Sequence, residues 1–238
     1  MLHQETPSRV IITTATPNNH ISALANKYGI ELFVNPSDPS IAGDWNFGIS
    51  KADAPLVTLA HQDDIYEREY TTTLLELVNV VSRPLLFFTD YVELREGKII
   101  SSNTLLKVKR SMLVPLKVKG FRRSRFVRRR ILSFGSAICC PSVTMVIPNL
   151  DLPVFSSGLK SNLDWQAWER ISREKGAFLY SDKQLLRHRV HEDSETTLLI
   201  NNDIRGAEDL FMFEQFWPRP IARLLNSRYS KSLESNQQ

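Results

Sequence analysis

The chain has 238 residues, 42% of them hydrophobic and 24% charged, a composition typical of a folded globular protein that excludes an extended disordered chain. The net charge is only +4, but eight of the fourteen residues from 117 to 130 are Lys or Arg and none is acidic. No apolar run approaches the ~20 residues that a bilayer-spanning helix needs, and the opening residues lack the apolar core of a signal peptide.

The first part of the chain alternates between strand and helix patterns. β-branched or continuously apolar runs predict strands at 9–15, 30–36 and 54–61. Apolar residues at helical spacing predict a helix over 20–29, ended by Gly29, and a second short helix within 37–53. Strands that alternate with helices in this way indicate an α/β fold with a mostly parallel sheet covered on both faces.

The second part continues the alternation with weaker signals. Apolar spacing from Tyr66 to Val81 predicts a helix that stops before Pro84. The later predictions are a strand over 85–94 with a hairpin turn at 95–98, a helix or loop over 117–130, a strand or buried segment over 137–147, a helix over 161–176, a short strand from 177 that runs into a polar loop, and a basic amphipathic helix within 211–232.

The two cysteines, Cys139 and Cys140, are neighbours in the chain. Two adjacent thiols rarely bridge each other without strain and supply no disulfide framework. We therefore expect buried thiols in a reducing compartment and a cytoplasmic protein.

An acidic pair, Asp63 and Asp64, follows the apolar strand that ends at Ala60. Ligands of α/β sheets bind beyond the carboxyl ends of the strands, and two adjacent carboxylates there suit a hard divalent cation. The alternative is structural: Asp64 and Glu67 have the Asp-x-x-Glu spacing of a helix N-cap with its capping box. Capping is the favoured role for Asp64, which leaves Asp63 as the better ligand candidate.

Two further stretches carry residues that could take part in chemistry. Asp164 could accept a proton from an attacking hydroxyl, although the residues alone favour a Ser161–Asp164 capping box. His188 and His191 lie in a run rich in arginine and carboxylates. A solvated polar loop is the default there; phosphate contacts by the arginines and metal ligation by one imidazole are the alternatives.

Together these segments resemble glycosyltransferase family 2, the nucleotide-sugar enzymes with the GT-A fold. "DWNFGISKADAPLVTLAHQDD", residues 44–64, is similar to the family pattern Arg-Asn-x-Gly-Ile, then Ala-x-Gly, an apolar strand and Asp-x-Asp-Asp. "LDWQAWERISREKGAFLYSDKQLLRHRVHEDSETT", residues 163–197, resembles the distal block, with its Glu-Asp pair, glycine, strand and Arg-x-His. The resemblance covers roughly residues 10–197.

The resemblance implies an inverting transferase with one role for each matching residue. Asp164 matches the general base for the acceptor hydroxyl, with Leu163 in place of the family's glutamate. Asp63 matches the ligand of a Mn²⁺ or Mg²⁺ ion on the donor diphosphate, and His61 replaces the preceding aspartate. Asn46, Asp63, Asp64 and Arg189 would bind the nucleotide sugar, with His191 as a further metal ligand.

The resemblance also implies partners and a domain division. The acceptor would be a surface polysaccharide or a lipid-linked sugar of a bacterial cell envelope. Residues 1–200 would form the GT-A domain and 201–238 a helical extension with its tail. The family's usual first strand-helix unit is expected to be absent, and the turn over 14–18 lacks the carboxylate that contacts the nucleoside. The rival hypotheses are a truncated or non-catalytic relative and a basic nucleic-acid-binding protein.

The basic segment 117–130 and the C-terminal helix leave three interpretations open. Lys and Arg clusters bind phosphates, and Phe121 and Phe126 could stack on bases, but no nucleic-acid-binding motif accompanies them. Basic amphipathic surfaces also bind anionic lipid, which would place the protein peripherally on the inner face of a membrane. A solvated basic face is ranked equal to the membrane surface, and nucleic acid is ranked behind both.

Overall fold

The computed structural model describes residues 1–37, 39–190 and 204–234, with the side chains described as far as 231. The strands are β1 (Ile11–Thr14), β2 (Glu31–Val34), β3 (Leu56–Thr58), β4 (Ile65–Tyr66), β5 (Pro84–Arg95), β6 (Lys98–Ile100), β7 (Val143–Val146) and β8 (Ala177–Val190). The helices are α1 (Asn19–Tyr28), α2 (Ile41–Lys51), α3 (Tyr70–Val78), α4 (Thr104–Leu113), α5 (Arg125–Leu132), α6 (Leu163–Ser172), α7 (Ile204–Glu214) and α8 (Arg219–Glu234). Single 3₁₀ turns occupy Val114–Lys117, Phe121–Arg123, Cys140–Ser142 and Ile147–Asn149.

The first two helices begin and end at local signals. The Asn18 side chain accepts a hydrogen bond from the Ile21 amide, and Gly29 closes α1 in the left-handed conformation with φ 62°. The Ser40 hydroxyl accepts from the Gly43 amide at the start of α2. Such caps satisfy backbone groups that have no partner inside the helix, which is why short-range sequence reading places both helices correctly.

The α/β fold class is confirmed, but the sheet is mixed rather than mostly parallel. Strands β1 and β2 form a separate parallel pair. The main sheet has the order β3-β7-β5-β8-β4, with β6 on β5; within it β5 and β8 pair in parallel, and the other pairs are antiparallel. A strand buried on both faces is continuously apolar whichever way it runs, so the hydrophobic pattern could not give its direction.

Strand β8 is longer than the sequence predicts. Residues 177–181 pair with β5, and the register shifts on either side of the exposed Gln184, which lies opposite Asp90. Pairing then continues from Leu186 opposite Tyr91 to Val190 opposite Arg95. The segment that reads as a polar loop is therefore strand, because β5 supplies a backbone template for it. This extension carries His188 and Arg189 to the edge where β4 also pairs.

The principal core lies between the sheet and the helices. Trp165 and Trp168 of α6 are buried in it. Met212 and Phe213 of α7 and Ala222 of α8 belong to the same cluster, so these helices pack on the residues that hold α6 in place. The chain's C-terminal helices therefore help to form the environment of Asp164.

Candidate functional site

The two segments that resemble a sugar-transfer motif meet at the acidic pair. The Asp64 side chain is 0% exposed, and its Oδ1 accepts hydrogen bonds from the backbone N–H of Arg189 and from Nδ1 of His188, both at 2.9 Å. The Arg189 Nε donates to the backbone oxygen of Asp63 at 3.0 Å. Residues more than a hundred positions apart therefore form one hydrogen-bonded unit at the end of β8.

The capping role expected for Asp64 is wrong. Helix α3 begins at Tyr70, with Glu69 as its N-cap, and the residues after Asp64 form β4. The Glu67 carboxylate receives Arg187 Nε at 2.6 Å, while the Glu67 amide donates to the Leu185 oxygen. The Asp-x-x-Glu spacing is present, but pairing with β8 holds this stretch extended, so tertiary contacts override the local helix-start pattern.

Two buried polar atoms beside the acidic pair lack partners. Asp64 Oδ2 and His61 Nε2 accept or donate no hydrogen bond within the described part of the chain. The His61 Nδ1 is 4.0 Å from Asp64 Oδ2, and its ring stacks on Trp45 at 5.6 Å. Burial lowers the pKa of His61, which favours the neutral imidazole. Buried polar atoms of this kind are normally satisfied, so they mark a place where a ligand would supply the missing bonds.

Asp164 lies in the first turn of α6 and is half-buried. Its Oδ1 accepts from the Trp165 amide at 2.7 Å. Burial raises the pKa of the Asp164 carboxyl, and the Trp165 hydrogen bond and the charges of Arg205 and Lys109 oppose that rise. A desolvated carboxylate at a helix start with cations near it has the properties of a general base.

The Ser161–Asp164 capping box is also wrong. The N-cap of α6 is Asn162, whose Nδ2 donates to Asp209 Oδ1 at 2.7 Å. The Ser161 hydroxyl is buried without a hydrogen-bond partner among residues 1–37, 39–190 and 204–234. The partner of the N-cap side chain comes from another helix, α7, and no pattern within the α6 segment predicts that contact.

Asp64 and Asp164 both act electrostatically on Cys139 and Cys140. The side chains of Cys139 and Cys140 are half-buried, so the expectation of fully buried thiols is wrong for this pair. Desolvation raises the pKa of each thiol, and the charges of both carboxylates raise it further. One carboxylate from each of the two family-like segments therefore interacts electrostatically with the short segment that precedes β7.

Two cations near Asp164 had no signal in the sequence. Lys109 of α4 donates to the Tyr91 hydroxyl at 3.1 Å and acts electrostatically on Asp164. Arg205 of α7 is only 15% exposed and lies 4.0 Å from Asp209. Its Nε is buried and makes no hydrogen bond to the residues that the structure describes. Only the fold brings these elements to the start of α6.

Asn46 lies near this region in a role that the sequence did not indicate. Its Nδ2 donates to the Phe155 oxygen at 2.8 Å, and its Oδ1 accepts from the Phe155 amide at 3.1 Å. Trp45 packs edge-on against the Phe155 ring at 4.8 Å. The asparagine thus fixes the segment before α6, and binding of a sugar nucleotide by Asn46 stays a prediction.

The metal prediction rests on Asp63 and His191, and His191 lies outside the described residues. Within the described ranges, no group of three or more His, Cys, Asp or Glu side chains could hold an ion. Mg²⁺ needs fewer protein ligands than three, because it is usually held by one or two carboxylates together with substrate phosphates and water. The acidic pair with the unpartnered Asp64 Oδ2 fits that kind of shared site.

Most of the basic segment 117–130 is engaged inside the protein. Arg128 is buried and donates to the Glu174 oxygen at 2.6 Å. Arg129 pairs with Glu169, Arg130 lies over the Trp217 ring, Lys117 pairs with Asp182, and Arg122 and Arg123 donate to backbone oxygens of Leu116 and Ser82. This distribution explains the charge run as packing around α5 and weakens a nucleic-acid interpretation.

A search of the described helices finds none with both the length and the apolar character needed to cross a membrane. The C-terminal helix α8 carries Arg219, Arg223, Arg228 and Lys231. Ile221 and Leu224 of the same helix are exposed, whereas Ala222 is buried in the core.

Comparison with known proteins gives a structural likeness. No family model and no curated protein matches the sequence. A crystal structure of S. aureus TarS 1–349 has a TM-score of 0.58 at 11% identity, over 94% of this chain and 62% of that one. A second S. aureus TarS structure gives 0.56 at 11% identity, over 94% and 38%. A mycobacterial protein gives only 0.45 at 14% identity, over 82% and 65%.

The chain therefore spans less than two thirds of the TarS chains that it resembles. At 11% identity the likeness shows the fold alone. This chain shares its α/β fold with these TarS structures.

Proposed function

We propose that this protein is an inverting glycosyltransferase that moves a sugar from a nucleotide-sugar donor to a surface-polysaccharide or lipid-linked acceptor. The observation that carries the proposal is the unit formed by Asp64 Oδ1 with the Arg189 amide and His188 Nδ1. It joins the two segments that resemble family 2, and the glycosyltransferase-like fold supports it from an independent direction.

In this proposal Asp164 is the general base. An acceptor hydroxyl would lose its proton to the Asp164 carboxylate as its oxygen attacks the anomeric carbon, while the nucleoside diphosphate leaves from the opposite face. One displacement of this kind inverts the anomeric configuration. Burial strengthens Asp164 as a base because it raises the carboxyl pKa, and Lys109 and Arg205 keep the ionised form accessible.

The leaving diphosphate would be held by the acidic pair and Arg189. Asp63, with the free oxygen of Asp64 beside it, would hold Mn²⁺ or Mg²⁺, with His191 as a further ligand. Such an ion neutralises charge on a leaving diphosphate. Arg189, fixed through its amide and Nε to the acidic pair, would add a cation at the same place. Asn46 completes the proposed set of donor-binding residues.

Donor binding is tested by thermal unfolding with MnCl₂ and each common nucleoside diphosphate. A ligand at 100 times its Kd stabilises by about 2.7 kcal/mol, which for a protein of this size raises Tm by roughly 5 °C or more. Asp63→Ala should abolish the shift. Asp53→Ala is the matched control, because that carboxylate is exposed and pairs only distantly with Arg9 at 3.9 Å. No shift with any nucleoside diphosphate would contradict the proposal.

The proposal also includes a contact with the membrane surface, where a lipid-linked acceptor would lie. Phe126 is 70% exposed and Phe121 47% exposed, and they lie in the basic segment beside Lys119 and Arg125. Exposed aromatic rings among cations suit an anionic lipid surface. Sedimentation with phosphatidylglycerol vesicles should retain the protein, and Phe121→Ser with Phe126→Ser should release it. Equal binding to neutral phosphatidylcholine vesicles would contradict a charge-dependent contact.

A further inference from the structure

Glu208 of α7 lies at the start of a helix other than its own. Its Oε1 accepts from the Lys160 amide at 2.7 Å, and its Oε2 accepts from the Ser161 and Asn162 amides at 2.8 and 3.0 Å. Three consecutive backbone N–H groups of the segment that enters α6 therefore share one carboxylate, and the last of them is the amide of the N-cap residue Asn162. The N-cap amide is one of the donors that a helix leaves without a partner, and a side chain from the same segment usually accepts from it.

The next residue extends the contact. Asp209 is buried and accepts from the Asn162 side chain at 2.7 Å. Arg205, one turn earlier on α7, lies 4.0 Å from Asp209 and acts electrostatically on Asp164. The first two turns of α7 thus touch both the backbone and the electrostatic surroundings of the α6 start.

Asp164 is only two residues beyond Asn162, in the first turn of α6. A first turn without a cap frays, because its amides then need water. Fraying would move the half-buried Asp164 carboxylate and expose it further to solvent. A negative charge at a helix start also stabilises the turn through the helix dipole. The Glu208 contact holds the segment and the N-cap amide that come directly before the turn of Asp164.

We propose that Glu208 is a positioning residue for Asp164: helix α7 anchors the segment that enters α6, including its N-cap amide, and so holds the half-buried base in its orientation. This inference rests on the proposed function for the role of Asp164, while the contact between the helices stands on geometry alone. It makes α7 part of the reaction site, and not only a helical extension.

The test compares Glu208→Ala with Glu214→Ala, a carboxylate on the same helix whose side chain is 36% exposed and points to Arg219 at 3.3 Å. Amide hydrogen exchange should rise at least 10-fold at residues 160–162 and in the first turn of α6 in Glu208→Ala only. Unchanged exchange at these amides overturns the proposal, whether or not the protein transfers sugar.

A second readout follows Asp164 itself by carboxyl NMR titration. In Glu208→Ala the pKa of Asp164 should fall toward its ordinary value, because the loosened turn becomes solvated. Arg205 and Asp209 on α7, Lys109 on α4 and the thiols of Cys139 and Cys140 also face Asp164, and all remain in both variants. An unchanged titration overturns the proposal.

Turnover gives the third readout, as release of nucleoside diphosphate from a panel of nucleotide sugars. Glu208→Ala should lower kcat about 10- to 100-fold with less than a 2-fold change in the donor KM, because misplacing a reacting group affects the chemical step. Glu208→Gln should retain an intermediate kcat. A wild-type kcat in Glu208→Ala overturns the positioning role. Absence of turnover in the wild type would instead count against the proposed function, leaving exchange and titration to decide the contact.

Discussion

Asp64 and Arg189 are 125 positions apart, yet the carboxylate of one accepts a 2.9 Å hydrogen bond from the backbone N–H of the other. His188, the neighbour of Arg189 on β8, donates to the same oxygen at 2.9 Å. One buried carboxylate therefore ties the loop after β3 to the end of β8, so Asp64 has a structural role beside any part in donor binding.

Replacing Asp64 by Ala should lower the free energy of unfolding by about 1–3 kcal/mol, since the Arg189 amide and the His188 ring would lose a buried acceptor. Urea unfolding measures the change. Asp53→Ala, at an exposed carboxylate, should remain within about 0.5 kcal/mol of the wild type. Equal losses in both variants would show that Asp64 does not hold these segments together.

Asp164→Asn should remove sugar transfer and at the same time raise stability at neutral pH. Burial raises the pKa of Asp164 in the folded state above its ordinary value of 3.8, so the ionised form opposes folding. The gain in stability of Asp164→Asn over the wild type should be complete above the folded-state pKa of Asp164. It should disappear as the pH falls toward 3.8. Calorimetric Tm values across this pH range check the sign. A variant that unfolds more readily than the wild type at neutral pH would contradict it.

Arg128→Ala tests whether the basic segment is primarily structural. Arg128 is 0% exposed, its guanidinium lies 5.1 Å from the Phe178 ring, and burial lowers its pKa to about 10. Truncation would open a cavity and leave the Glu174 oxygen without its donor, at a cost of about 2–4 kcal/mol. Arg125→Ala, on the same helix, should cost less than about 0.5 kcal/mol. Denaturant midpoints of the two variants give the comparison, and equal midpoints would refute a structural role for Arg128.

Gly176→Ala should be strongly destabilising, by about 2–4 kcal/mol. Gly176 has φ +148°, and an added Cβ would meet Leu85 Cγ at 2.6 Å and the Arg83 oxygen at 2.7 Å. Gly120, whose Cβ would meet open space, is the matched control and should tolerate Ala. Thermal unfolding of both variants distinguishes a steric requirement from a general effect of replacing glycine, and a tolerated Gly176→Ala would rule out the steric one.

Local signals led to correct predictions where the controlling contacts are local. Gly29 and the apolar spacing before it predicted α1, and the turn after Arg95 predicted the β5–β6 hairpin. These features depend on backbone conformation and side-chain periods within a few residues. The sequence indicates for Gly176 only a place past the end of the predicted helix, whereas the requirement for glycine comes from Arg83 and Leu85, which are remote in sequence.

The failed predictions share one cause. The Asp64–Glu67 and Ser161–Asp164 patterns match capping boxes, but β8 holds the first segment extended, and Glu208 and Asp209 of α7 bind the residues at the second one. The polar end of β8 reads as a loop because its stability comes from pairing with β5. A sequence pattern indicates which structure a segment could form by itself. The structure of these segments is instead determined by contacts with residues that are distant in the chain.

The sequence by itself determined the α/β class and most of the elements, because periodicity and short motifs depend on neighbouring residues. The resemblance to family 2 supplied the candidate roles of Asp63, Asp164 and Arg189, which stay predictions. The tertiary structure alone decided that Asp64 binds β8, that Lys109 and Arg205 approach Asp164, and that most of the arginines of 117–130 are engaged in packing. Strand register and helix docking set those distances, and both depend on burying side chains that are far apart in the chain.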